Sequence, residues 1–295
     1  MTPTQLSTLL TWPLLVASTV IFGTSAFAIF FAAEIADGMT EYGMSALASL
    51  RRIWFWLALL NLAVSPLAML IDIENMADSS LRDALAIAPM VMRETVFGHL
   101  WAIRLPVAVT LVAFTAMRTP SRRSIAVIYA LATALILMQS LASHAIDKGL
   151  LAVAILFAHQ IAAGFWIGAL ISLLIIAAHD RGNSTLIERA TVHVSRIAGW
   201  SVAALAVTGV ITAYYSLGWH LELLIYSLYG RTLLWKLATA GAVILVGGYN
   251  RYQLVPALGE ASSRNLLIRN VTAECLLLGA VLAWSAVLAN TPPPH

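Results

Sequence analysis

The stretch MQSLASHAIDKGLLAVAILFAHQIAAGFWIGAL, residues 138–170, decides how the rest of the chain is read. Two apolar runs meet at a short polar turn, residues 145–149, which holds Asp147 and Lys148 and ends on Gly149. A segment that crosses roughly 30 Å of hydrocarbon needs about 20 apolar residues, so each arm reads as a membrane helix and the pair as a helical hairpin. The hairpin carries His144 at the end of its first arm and His159 well inside its second. An imidazole among Leu, Ile, Val and Phe in a membrane is costly, and by default such a residue faces the protein interior and serves function. Neutral imidazole suits copper, zinc, haem iron or a proton relay. The plainer alternative makes His159 a hydrogen-bond partner for a neighbouring helix.

Working outward, the composition is that of a polytopic membrane protein: 295 residues, 60% hydrophobic, 11% charged, with mean hydropathy +0.86. Eight runs are long enough to span, at 11–33, 53–73, 100–117, 124–144, 150–178, 196–217, 232–249 and 267–288. The predicted fold is therefore all-α, with a weakly amphipathic piece at 80–92 between the second and third spans. The first run lacks the basic region of a cleavable signal and is expected to stay as a membrane helix. The terminal TPPPH cannot continue a helix. One cysteine, Cys275, excludes an intramolecular disulfide and any Cys-rich zinc or iron–sulfur site. The net charge of +3 implies nothing about nucleic acid, because the basic residues fall at helix ends.

Those basic residues set an expected orientation. The odd connections hold Arg51, Arg52, Arg118, Arg122, Arg123, Arg181, Arg189, Arg196, Arg251, Arg264 and Arg269, eleven in all. The even ones are assigned six, Arg82, Arg93, Arg104, Lys148, Arg231 and Lys236. By the positive-inside rule both termini and the even connections lie outside the cytoplasm, His144 among them.

The chain also echoes itself. Arg52-Ile53-x-x-Trp56 recurs as Arg196-Ile197-x-x-Trp200, and Leu62-Ala63-Val64-Ser65-Pro66 as Leu205-Ala206-Val207-Thr208-Gly209. Phe97-Gly98 with Arg104-Leu105 recurs as Tyr229-Gly230 with Lys236-Leu237. Three matches in order predict two four-helix halves. An even number of helices per half makes them parallel repeats, and transport sites commonly lie between such halves. For description the chain divides into 1–123, holding the first three helices and an outer connection at 74–99, and 124–295, holding helices four to eight, within one integral membrane domain. Neither histidine of the hairpin has a histidine counterpart in the first half.

Several residues carry candidate chemistry. Trp166 lies seven residues after His159 and so shares its helix face, while Gly164 and Gly168 form a G-x-x-x-G suited to close helix contact. At 1.5 Å per residue His159 lies about 13 Å below Leu150, so straight helices cannot place both histidines around one ion. They are successive stations, or the start of the fifth helix is unwound. Glu274 reads as the only carboxylate inside an apolar span, expected near the level of His159, either as part of a path or paired to Arg251, Arg196 or Arg269. Met76, Met90, Met92, His99 and His220 sit in the outward connections, where thioethers and imidazoles suit Cu(I) capture or ordinary interface packing. No H-E-x-x-H, P-loop, G-x-S-x-G or catalytic carboxylate pair is present, so no enzyme activity is expected.

In these residues the chain resembles the copper resistance protein D family, the CopD/PcoD-like inner-membrane proteins. The resemblance rests on Ser143-His144-Ala145, His159-x6-Trp166-Ile167-Gly168-x-Leu170, Ser195-Arg196 and Thr208-Gly209. It continues through Tyr229-Gly230-Arg231-x-Leu233-Leu234-x-Lys236, Asn250-Arg251-x4-Pro256-x-Leu258, Ala273-Glu274 and Thr291-Pro292-Pro293. It implies a bacterial inner-membrane protein that moves copper, works with a periplasmic copper-binding partner of the CopC type, and uses His144, His159 and Glu274 as copper ligands. The chain departs from that picture in having no Met-rich or His-rich tail, so delivery is expected to depend on a separate protein. Two other functions remain open at this point: a b-type haem protein, with histidines as axial ligands, and a copper-enzyme assembly factor without transport of its own.

Overall fold

A computed structural model describes residues 3–30, 41–117, 121–179 and 184–294. The helices are α1 (Pro3–Phe30), α2 (Glu41–Ala77), α3 (Leu81–Glu94), α4 (Val96–Ala116) and α5 (Arg122–Leu141). They continue as α6 (Leu150–His179), α7 (Ser184–Leu217), the one-turn α8 (Leu223–Tyr226), α9 (Leu228–Tyr249) and α10 (Ala261–Ala289). Beyond Tyr249 the chain keeps coiling through a π turn, Asn250–Leu254, and a 3-10 turn, Val255–Ala257. Among the described residues eight helices are long and apolar enough to cross a membrane: all but α3 and α8. The expected end of the first span at Ala33, and Arg118 and Arg181 from the charge count, lie outside the described residues.

The bundle is built around α1 and α6. α1 packs against α2, α5, α6 and α10, and α6 against α1, α2, α5, α7 and α10. The two cross where Gly23 of α1 faces Gly164 and Gly168 of α6, and a Cβ on Gly23 or Gly168 would run into the opposite backbone. Such small-residue contact lets membrane helices gain dispersion energy where no hydrophobic effect separates protein from lipid. On the far side of α1 the Trp54 indole donates to Thr24 Oγ1 at 2.7 Å, fixing α2 against it. One apolar core joins α1, α2, α4 and α5, with Ile21, Phe22, Trp54 and Ile128 fully buried, and another joins α6, α7, α9 and α10.

Local signals set the helix starts. Ser80 caps α3, accepting from Asp83 N. Thr95 caps α4: its Oγ1 accepts from Gly98 N at 2.9 Å and donates to Val91 O at 2.8 Å. Ser227 caps α9 in the same way, accepting from Gly230 N at 2.9 Å and donating to Leu223 O at 2.6 Å. In both places the glycine rests on the backbone of the short helix before it, Val91–Met92 for Gly98 and Leu223–Leu224 for Gly230, where a side chain has no room.

Several expectations are corrected. α2 and α7 begin twelve residues before the apolar runs assigned to them, carrying Arg51, Arg52, Glu188, Arg189 and Arg196 as regular helix. Hydropathy stops at charges, whereas helical hydrogen bonding does not, and long basic side chains extend from a helix end towards water. Arg104 and Lys236 are not connection residues: they lie within α4 and α9, about two turns from the start of each. α5 ends at Leu141 rather than 144, which leaves His144 in the turn before Ile146–Lys148. α6 is continuous from Leu150, so its start is not unwound.

Candidate functional site

The hairpin separates its two histidines completely. His144 is exposed, its side chain at 48% accessibility, with Nδ1 3.9 Å from Asp147 Oδ2. His159 faces α7, where its Nδ1 lies 3.0 Å from Thr208 Oγ1 and its ring edge rests against Gly209. Lys236 of α9 is near enough to act on the imidazole electrostatically.

The bond to Thr208 has a direction. Thr208 Oγ1 donates its one proton to Ala204 O at 2.6 Å. A hydroxyl has a single O–H, so towards His159 it acts as acceptor, and Nδ1 of His159 carries the proton. In the neutral ring the lone pair then sits on Nε2, which has no hydrogen-bond partner among the described residues. A second partner that fixes the tautomer and orients the ring is how metal-binding histidines are held.

Glu274 is elsewhere. It is 2% exposed and accepts from Asn250 Nδ2 at 2.5 Å, while Asn270 Nδ2 donates to Asn250 Oδ1 at 2.8 Å. None of the arginines expected beside it pairs with it among the described residues. Arg251 instead donates to Ser195 O at 2.7 Å and lies over Gly199. The π turn makes this arrangement: it keeps Asn250 at the end of α9 directed at α10 while Arg251 reaches back to α7. Single π turns of this kind recur at functional sites.

Glu274 lines a cleft of about 230 Å³ between α7 and α9, floored by Trp166, Leu170 and Leu173 of α6. Trp166 is seven residues, about 10 Å, further along α6 than His159, so Glu274 lies deeper towards the Arg251 end than the expected shared level. His144, His159 and Glu274 are therefore three separate places along one side of the bundle. No group of three His, Cys, Asp or Glu side chains gathers to hold a metal among the described residues.

A second buried polar cluster, in the first half, escaped the sequence reading. Arg104, 4% exposed, donates from Nε to Ser65 Oγ at 3.3 Å, and Ser65 Oγ donates to Asn61 Oδ1 at 3.3 Å. The Trp101 ring lies 5.2 Å below the guanidinium, and Asp72, bonded by Ser7 Oγ at 2.5 Å, is within its electrostatic reach. Glu274 is therefore not the only carboxylate inside a span: Asp72 lies within α2, one residue before the end of its apolar run. The one advance signal was the match of Arg104-Leu105 to Lys236-Leu237, which marks both cations as internal.

The outer thioethers and imidazoles do not converge. His99 Nε2 is 2.8 Å from Arg93 O, and Met76 and Met90 are exposed. His220 Nδ1 is 3.0 Å from Glu222 Oε1, and that carboxylate is held below its usual range by its own backbone N–H and by His220.

Among the described residues, eight membrane-length helices around buried polar groups define a polytopic helical membrane protein. A family model described as copper resistance protein D-like, N-terminal domain, matches residues 1–153, and one described as copper resistance protein D matches residues 189–288. The chain belongs to the copper resistance protein D family. Searches of curated proteins and of solved structures return no match.

Proposed function

We propose that this chain carries copper across the bacterial inner membrane, from periplasm towards cytoplasm, in copper resistance or homeostasis. His144 is the outer station, His159 the buried one, and Glu274 an inner one. The observation that carries the reading is the state of His159: its proton is committed to Thr208, which leaves a free Nε2 lone pair inside the membrane. There the cost of desolvating an ion is highest and a ligand is most needed. Neutral imidazole binds both Cu(I) and Cu(II), so the chemistry admits either. Copper here is cargo, and no enzymatic step is part of the proposal.

The charge distribution supports the orientation. With Arg104 and Lys236 removed as internal residues, the even connections keep four basic residues against eleven. That bias supports a reading with both termini, His144, α3 and α8 on the periplasmic side. A soluble copper donor of the CopC type would meet the protein there, at His144. The matched caps of α4 and α9 support a reading as two parallel four-helix repeats, α1–α5 and α6–α10, within one membrane domain. A b-type haem is not favoured, because one iron needs two level ligands and the histidines lie about 13 Å apart in depth.

Copper accumulation by cells carrying wild type, His144→Ala or His159→Ala, at equal protein levels, tests the proposal. His159→Ala is expected to lose uptake even with copper in excess, and His144→Ala to weaken capture at low copper only. Wild-type accumulation in both variants overturns it. Unchanged copper in a deletion strain that loses a copper-oxidase activity points instead to an assembly factor.

A further inference from the structure

The cleft between α7 and α9 contains a carboxylate that lipid tolerates poorly. Of Glu274, 2% exposed, Asn250 engages Oε1, while Oε2 lies beside Gly247 on the cleft wall. Lipid chains supply no donor to a carboxylate oxygen. Water supplies one. A volume of about 230 Å³ holds several waters at roughly 30 Å³ each.

The shape agrees with that content. α7 packs on α6 and α9 packs on α10, which leaves the space between α7 and α9 open. At one end stand Ser195 and Arg251, polar groups that belong at a membrane–water boundary. At the other Trp166 closes the floor, about 10 Å short of His159 along α6.

We infer that this cleft is a water-filled half-channel, open to the aqueous phase at the Arg251 end and stopped by Trp166, which gives the inner leg of the cargo's route beyond His159. The inference rests on the reading of His159 as a copper station, but the water content stands or falls separately. Hydrated cargo leaving His159 passes the Trp166 side chain, meets the carboxylate of Glu274, and exits beside Arg251. Trp166 is thus the barrier between the buried station and the inner solution.

The test uses the whole protein in vesicles, with the native cysteine removed as Cys275→Ser. Single cysteines are placed in the cleft as Ser195→Cys, Ala198→Cys and Val202→Cys, and on the exposed face of the same helix as Val210→Cys. Thiol labelling follows access to water, because the thiolate is the reacting form. A charged, membrane-impermeant thiosulfonate added from the Arg251 side is expected to label Ser195→Cys and Ala198→Cys at least about tenfold faster than Val210→Cys, with Val202→Cys between. An uncharged maleimide is expected to label all four. Should an α7 variant not accumulate, Gly248→Cys probes the opposite wall, where a new Cβ meets nothing within 4 Å. Labelling of the cleft cysteines by the uncharged reagent alone shows a lipid-filled groove and overturns the inference, as does charged labelling only from the His144 side. The labelling requires no copper. Expected labelling with wild-type uptake by His159→Ala would keep the half-channel and remove the copper reading, and the reverse pair of results would do the opposite.

Discussion

In the first half of the chain Ser65 on α2 accepts a hydrogen bond from Arg104 on α4; in the second, Thr208 on α7 accepts one from His159 on α6, with Lys236 of α9 close by. Ser65 and Thr208 stand at matched places in the recurring Leu-Ala-Val-Ser/Thr pattern, and Arg104 and Lys236 in the recurring cation-Leu pair. The chemistry of the two clusters is nevertheless opposite. Guanidinium is always charged and donates only, and the Asn61 amide beside it points an unpartnered Nδ2 into the same cluster. A metal cation would meet a fixed positive charge there, which the Asp72 carboxylate already offsets. His159 presents a lone pair instead. One half of a repeated plan has become a fixed polar strut, and the other has kept an open ligand.

This contrast makes Asp72→Ala the most damaging change. It removes the carboxylate within electrostatic reach of the buried Arg104 and the acceptor of Ser7 Oγ, which costs about 1.5–3 kcal/mol and should appear as a clear fall in melting temperature in detergent. A strut role also requires that copper uptake per folded molecule stays unchanged. A variant as stable as wild type would show that the cluster is no strut.

The seam between the halves is next. Gly168→Ala drives a Cβ into the Gly23 backbone, which no rotamer relieves, and overpacking of this kind costs about 1–3 kcal/mol. Gly241→Ala, whose Cβ meets nothing within 4 Å, serves as the control and should be neutral or slightly stabilising, since alanine favours a helix over glycine by up to about 1 kcal/mol. Equal melting temperatures for the two would mean that α1 and α6 do not cross closely.

Within the second half, Thr208→Val keeps the shape but removes the acceptor that holds the His159 proton on Nδ1. Losing such a partner typically weakens a metal site about 10- to 100-fold, so copper binding by purified protein should fall by that order while Thr208→Ser retains it. If valine and serine behave alike, the tautomer is not what prepares His159.

Glu274→Gln should perturb stability least, by about 1 kcal/mol or less, because glutamine still offers Oε1 to Asn250 Nδ2. Uptake should fall all the same, since the inner station has lost its charge. A collapse of folded protein with normal uptake in what remains would make Glu274 an anchor.

Much of the architecture was readable in the chain itself. Eight apolar runs correspond to eight membrane-length helices, because hydrocarbon thickness dictates their length. The hairpin at Asp147 and the depth separation of His144 from His159 followed from the rise of a helix. The polar interior was less readable, because hydropathy assigns every cation to a boundary while tertiary partners decide its place. Arg104 and Lys236 were counted with the connections although they fall inside the runs 100–117 and 232–249, and Asp72 was passed over. Glu274 drew attention to its carboxylate but not to its partner: an amide 24 residues earlier, directed by a π turn, leaves no periodic trace. The cleft depends on which helices fail to meet, which no single stretch of sequence records.

The central claim is that His159 is a copper ligand prepared by Thr208, and the direct measurement is Cu(I) bound by purified protein with its ligands identified by X-ray absorption. Wild type should bind copper with nitrogen in its first coordination sphere, and His159→Ala should lose that bound copper while His144→Ala retains it. Full copper occupancy with an unchanged nitrogen signal in His159→Ala would contradict the account.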